Sequence, residues 1–173
     1  YKLCENYAKV ELMSGVTTIR TVGGLNDIDS KIRDNVKANK VLAPRIITSN
    51  MAISVPGGHM AGVLAYEAES EADGVKYVDK IAETKPDLIK LMITGGVLDA
   101  TKVGEPGVLK MKPEIVKACV DEAHKLGYKV AAHVESPEGV KVALENGVDT
   151  IEHGAEITDH EIELFKKNNS SHV

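Results

Sequence analysis

Short aliphatic and β-branched runs alternate with amphipathic helical stretches along the whole sequence, and this alternation restricts the fold more than any other feature. Residues 2–14 carry Leu3, Cys4, Tyr7, Ala8 and the pair Leu12 and Met13 at helical spacing, with Gly15 placed to stop the helix. The β-branched run 16–22 then reads as a strand. Ile28, Ile32 and Val36 recur at i, i+4 and i+8, which predicts a helix from about 26 to 39. Residues 45–50 form the next strand, after the breaker Pro44, and the glycine-rich segment 54–62 reads as a long loop. Ser70, with Asp73 three residues on, opens a helix through Val75, Val78 and Ile81.

The second half repeats the pattern. Residues 87–96 read as a strand and are followed by an irregular segment to about Lys112. Pro113 fits the first position of a helix that buries Ile115, Val116, Cys119, Val120 and Ala123. A strand over 129–133, a helix opened by Ser136 and ended at Gly147, and a strand over 149–154 come next. Thr158 and Glu161 spell a capping box for the last helix, and the polar tail 168–171 is linker-like. Five strands alternating with helices of about 10–15 residues imply βαβ units, and hence an α/β fold with a parallel sheet. No internal boundary divides the chain, so residues 1–173 are read as one domain.

The strand at 87–96 holds the most informative residue. Leu88, Ile89, Leu91, Met92 and Ile93 form a near-continuous apolar run, as expected where both faces are covered. Alternation puts Ile89, Leu91 and Ile93 on one face and Lys90, Met92 and Thr94 on the other. A lysine on an interior face costs several kcal/mol unless it is paired, neutralised or modified. The alternative is a stem lying along the strand with its amine reaching solvent past an edge.

Composition excludes several classes. A net charge of -5 and an aromatic content of 3% without Trp leave no nucleic-acid footprint. No apolar run reaches the ~18 residues of a membrane helix, and no signal peptide opens the chain, so a cytoplasmic protein is expected. Tyr1 is not an initiator, which suggests a start inside a longer protein. Cys4 and Cys119 are too few for a disulfide framework, and both are expected to be reduced core residues.

Active sites of parallel α/β folds lie at the C-terminal ends of the strands. His59 sits in the loop after the second strand, Lys90 in the third, and His133 and His153 end the fourth and fifth. Imidazoles on neighbouring strands converge on one rim and suit zinc or another divalent metal, although a lone strand-end histidine is often structural. Glu135 would point the same way as His133 and is read as a solvated rim carboxylate. His124, His160 and His172 are expected to have no role, and Arg20 to serve structural pairing.

Six strings, GVTTIRTVGG at 15–24, PRIITSN at 44–50 with PGGH at 56–59, IKLMITGG at 89–96, AH at 132–133 and IEHG at 151–154, together resemble the amidohydrolase superfamily. The resemblance is to its imidazolonepropionase-like and Xaa-Pro or Xaa-Arg dipeptidase branch and covers nearly the whole chain. It implies about strands 2 to 6 of a (β/α)8 TIM barrel truncated at both ends. It also implies two divalent metals, zinc by expectation, bridged by a CO2-derived carbamate on Lys90, with His133 and His153 as ligands and His59 at the substrate's carboxylate. The implied chemistry is attack of a metal-bound hydroxide on the C–N bond of a dipeptide, an N-acyl amino acid or a cyclic amide.

The chain departs from that family at two points. It has no His-x-His pair, which the family carries on its first strand, and it stops before the eighth-strand Asp that serves as general base. A complete barrel needs at least ~200 residues, so the chain alone is expected to be inactive. The missing strands would come from elsewhere, or a second copy would pair with the open edges. Two other readings stay open: a non-catalytic partial barrel acting as a binding or assembly module, and a metal-independent lyase using Lys90 as a Schiff-base nucleophile.

Overall fold

A computed structural model describes residues 1–173. The helices are α1 (Lys2–Met13), α2 (Ile28–Lys37), α3 (Glu71–Ala82), α4 (Pro113–Lys125), α5 (Pro137–Glu145) and α6 (Asp159–Asn168). The strands are β1 (Thr18–Arg20), β2 (Arg45–Ile47), β3 (Ala52–Ser54), β4 (Ala65–Glu67), β5 (Leu88–Met92), β6 (Lys129–Val134), β7 (Thr150–His153) and β8 (Ser171–His172). All strand pairs are parallel: β1 with β2, and a six-stranded sheet in the order β4-β3-β5-β6-β7-β8.

The two sheets follow one another because one strand is broken in two. β2 pairs back to β1 and β3 pairs forward to β5. Between them, the Thr48 carbonyl still accepts from the backbone N–H of Asp87 at 2.7 Å and of Leu88 at 3.2 Å. The break lies at Asn50, which adopts φ 57° while its Nδ2 donates to Ser30 Oγ and Thr84 Oγ1, both at 2.8 Å. A left-handed residue cannot continue the pleat, and asparagine tolerates that conformation better than most.

The helix signals read from the sequence hold. Asp73 N–H donates to Ser70 Oγ at 3.2 Å, Pro113 opens α4, and Thr158 and Glu161 form the capping box of α6. The alternation across β5 also holds. Ile89, Leu91 and Ile93 join Ile115, Val116 and Val120 in the main apolar core, whereas Lys90 and Met92 line a cavity on the other side. Helices α3 and α4 pack closely over Gly74, where a Cβ would lie 2.8 Å from Cys119 Sγ.

Three expectations are corrected. The chain has eight strands rather than five: the segment 54–62 is a loop beyond Ser54, as read, but the short strands β3 and β4 flank it. Neither lies in a β-branched run of the kind that marks β1 and β2. The tail at 168–171 is not a linker: α6 runs to Asn168, and Ser171 and His172 pair with Thr150 and Ile151 of β7. Cys4 is exposed on α1, and only Cys119 is a core thiol. No helix is long and apolar enough to cross a membrane.

Candidate metal centre

Register places the candidate residues. Lys90 on β5 pairs with Ala131 on β6, Met92 pairs with His133, and His133 pairs in turn with Glu152 on β7. Paired residues of parallel strands share a face, so Lys90, His133 and Glu152 all point into the concave side of the sheet. Lys90 is 1% exposed, and its Nζ has no hydrogen-bond partner. Burial pulls its amine down to about 7; the nearby Glu152 carboxylate pulls the other way and Arg20 reinforces the fall. Leaving a buried amine unpaired is costly, which marks Lys90 as a residue whose environment suits a neutral or derivatised nitrogen.

His133 is buried and its Nε2–H donates to the Gly95 carbonyl at 3.1 Å. Because a carbonyl can only accept, this bond assigns the ring proton to Nε2 and leaves the Nδ1 lone pair free. Burial holds the imidazole neutral by lowering it to about 4, partly opposed by the Gly95 bond. A neutral imidazole with its other nitrogen fixed by a backbone carbonyl is the usual form of a metal-ligating histidine.

Strand alternation alone would turn His153 away from this face, since it pairs with Val134. The backbone at His153 is left-handed, with φ 68°, and brings the ring to a centroid distance of 5.0 Å from His133. A positive φ at a non-glycine residue is uncommon and costs of order 1 kcal/mol or more. His172 braces the turn, its Nε2 donating to the His153 carbonyl at 2.9 Å. A Cβ at Gly154 would lie only 2.0 Å from His172 Nε2, so the bracing needs glycine there. His172 thus has a structural part that its place in a polar tail does not reveal.

His59 reaches the same cavity from the loop between β3 and β4 and stacks on His133 at a centroid distance of 4.2 Å. The cavity, of about 230 Å³, is lined by Lys90, His59, His133 and His153 with the apolar Met60, Met92 and Leu98. All four residues singled out from the sequence therefore meet at one place. Glu135 is half-buried rather than fully solvated, and its backbone N–H is held by Thr94 Oγ1 at 3.1 Å. Donor atoms of His133, Glu135 and His153 lie within 4.8 Å of one another. Two imidazoles and a carboxylate are donor types that suit a divalent ion.

Glu152 escaped the sequence reading. It is buried, and Arg20 Nη2 donates to its Oε2 at 2.7 Å. The signal was present: Ile151 belongs to the outer core, so its neighbour Glu152 must face inward by the alternation that exposed Lys90. Arg20 is the structural partner expected. His124 is not free of contacts, its Nε2 meeting Asp149 Oδ2 at 2.8 Å, and His160 lies 3.9 Å from Glu145 on the surface.

The profile of the amidohydrolase family matches residues 1–167. The chain belongs to the amidohydrolase family. Its fold is similar to a Xaa-Pro dipeptidase crystallised with methionine in its active site, at 31% identity and a TM-score of 0.85 over 97% of this chain and 44% of that one. It is also similar to a putative prolidase from Bifidobacterium longum, at 38% identity and a TM-score of 0.79 over 92% of this chain and 38% of that one. Among curated sequences, the ochratoxinase of Aspergillus niger is 25% identical over 182 residues, 90% of this chain and 36% of its own length. The chain spans about a third of the length of the curated relatives it matches. Its parallel sheet is part of the TIM-type barrel of this family, whose members are generally metal-dependent hydrolases.

Proposed function

We propose that the protein of which residues 1–173 form part is a metal-dependent hydrolase that cleaves the C–N bond of a dipeptide, an N-acyl amino acid or a cyclic amide. The observation that carries this reading is the Lys90 amine, buried without a partner on a face shared with His133 and beside His59 and His153. A buried amine without a partner is costly, whereas as a carbamate it becomes an anionic ligand. The dipeptidase, prolidase and ochratoxinase names of the relatives support a small amide substrate.

The residues present fit a divalent metal. His133 is neutral with Nδ1 free, His153 is exposed at the cavity mouth, and Glu135 adds an oxygen donor within reach. In this reading Lys90, His133 and His153 hold the metal, with zinc as the ion their donor types suit. When bound, such a centre supplies Lewis acidity at the scissile carbonyl and makes water acidic enough to ionise near neutral pH.

The chain's own groups prepare that site. The Lys90 amine is largely free base above pH 7 and can attack CO2, forming an N–C bond and releasing one proton to solvent. The carbamate formed carries one negative charge, and the guanidinium of Arg20, which pairs with Glu152, is near enough to favour that charge. Met60, Met92 and Leu98 give the cavity an apolar lining. In this reading His59, whose ring lines the same cavity, would contact the substrate.

The test is turnover by the full-length protein of Xaa-Pro dipeptides and N-acyl amino acids, after chelation and reconstitution with zinc and bicarbonate. Hydrolysis that needs both metal and Lys90, and is lost in Lys90→Met, is the expected result. Turnover without metal, with Lys90 trapped by borohydride on a carbonyl substrate, would instead establish a Schiff-base enzyme.

A further inference from the structure

The imidazole of His59 is held on three sides. Its Nδ1 meets Asp99 Oδ2, and the same oxygen accepts from the Met60 backbone N–H at 3.2 Å. One face lies on the His133 ring with an interplanar angle of 20°. The backbone of Gly96 closes a third side, where a Cβ would fall 2.3 Å from Nδ1 and 2.5 Å from Cε1. Only glycine at 96 lets the ring sit there. The side chain is 11% exposed, and its Nε2 has no protein partner although the ring lines the cavity.

Asp99 ends the 3-10 turn Val97–Asp99 in the loop after β5, and its neighbour Leu98 lines the same cavity. A carboxylate accepts and cannot donate, so the hydrogen between the two groups belongs to Nδ1. Which nitrogen of a histidine carries the proton is set by the bond the other nitrogen makes. We propose that Asp99 is a positioning residue for His59. It fixes the ring's rotamer and keeps its proton on Nδ1, so that the neutral ring offers a substrate only the Nε2 lone pair, a hydrogen-bond acceptor. The role in substrate contact rests on reading this cavity as the active site; the tautomer does not.

The experiment reads the tautomer directly, by two-bond 15N–1H correlation on the metal-free protein at a pH where free histidine is neutral. The expected result is an Nδ1–H signature for His59. Asp99→Ala shifts it to Nε2–H or to an average of the two forms. Asp99→Asn, whose side-chain oxygen still accepts, retains Nδ1–H, and Gly96→Ala displaces the ring from His133 and alters both residues' shifts. Asp99 is exposed on a loop, so the backbone spectrum outside the loop stays unchanged in its variants. An Nε2–H signature in the wild type, or an Nδ1–H signature that survives Asp99→Ala, overturns the proposal. In the full-length enzyme, Asp99→Ala lowers kcat/KM by about 10²-fold, the scale of a misplaced positioning group, with metal content unchanged and Asp99→Asn restoring most of it. Absence of hydrolysis in the wild type would sink the functional reading and leave the tautomer result standing by itself.

Discussion

Arg20 on β1 and Glu152 on β7 meet at 2.7 Å across the concave side of the fold, joining strands of two different sheets. The pair is closed by Thr150, whose Oγ1 accepts from Arg20 Nη1 at 3.2 Å and donates to Glu152 Oε1 at 3.0 Å. Glu152 is 7% exposed and Arg20 26%. Removing the arginine leaves a carboxylate buried without its cation, which for buried pairs costs about 3–5 kcal/mol. Since Arg20 is partly solvated, Arg20→Met is expected at the low end of that range. The double variant Arg20→Met/Glu152→Gln recovers much of the loss. Urea unfolding of the two single variants and the double checks this, and additive losses would contradict it.

Lys90 gives stability an unusual pH dependence. Its amine falls to about 7 from 10.5 through burial, so between these values the unfolded chain binds more protons than the folded one. Stability therefore rises with pH across that window, as the cost of burying a charged amine is relieved. At ~1.36 kcal/mol per pH unit the gain over the whole window is of order 5 kcal/mol. Lys90→Met removes this slope and is the more stable protein at pH 7 when no metal or CO2 is present. Thermal melts of the two proteins between pH 7 and 10 test it, and parallel profiles would refute it.

Much of this architecture was legible in the sequence, for reasons particular residues make plain. Lys90 could be placed because its neighbours Ile89, Leu91 and Ile93 all need the core, which leaves it one direction to point. Ser70, Pro113 and Thr158 fixed helix starts through local chemistry that tertiary contacts did not override. The strands β3 and β4 were hidden because Ala52–Ser54 and Ala65–Glu67 lie in no β-branched run, unlike the equally short β1 and β2. β8 was hidden for a different reason: Ser171 and His172 are polar and exposed, and only pairing with β7 makes them a strand. In the site, His133 followed from alternation, whereas His153 reaches the cavity through a left-handed backbone that its sequence does not announce. Asp99 lies 40 residues from His59, and no local pattern links them.

Asp149 is a clasp on the opposite, N-terminal end of the strands. Desolvation works to raise its carboxyl, but bonds from Val130 N–H at 2.8 Å, His124 Nε2 at 2.8 Å and Lys129 Nζ at 3.0 Å outweigh it and hold the group below the usual carboxylate range. A depressed carboxyl contributes its stability above the unfolded value of ~3.9, and that contribution is lost as pH falls through the folded value. Asp149→Asn is expected to lose about 1.5–3 kcal/mol at pH 7, the scale of hydrogen bonds to a charged group. Its stability falls less steeply than the wild type's on acidification below pH 4. Denaturant titrations at pH 7 and pH 3.5 give the comparison; an equal acid loss in both proteins would contradict the assignment.

Gly74 lies inside α3, where alanine would ordinarily gain up to ~1 kcal/mol of helix propensity. Here the added Cβ meets Cys119 Sγ at 2.8 Å, in a core without slack. Overpacking of this kind costs ~1–3 kcal/mol, so Gly74→Ala is expected to destabilise by roughly 1 kcal/mol net. Adding Cys119→Ala removes the sulfur, relieves the clash and reverses the sign of the Gly74→Ala effect. A double-mutant cycle on thermal unfolding decides it, and a stabilising Gly74→Ala on the wild-type background would show that the helices can part freely.

The most direct test of the central claim is metal stoichiometry. The full-length protein, stripped with chelator and then given zinc and bicarbonate, is measured by elemental analysis beside Lys90→Met and His133→Ala. The account predicts tightly held zinc in the wild type and its loss in both variants. Zinc content unchanged by Lys90→Met, or no zinc in the wild type, would contradict a metal centre built on Lys90, His133 and His153.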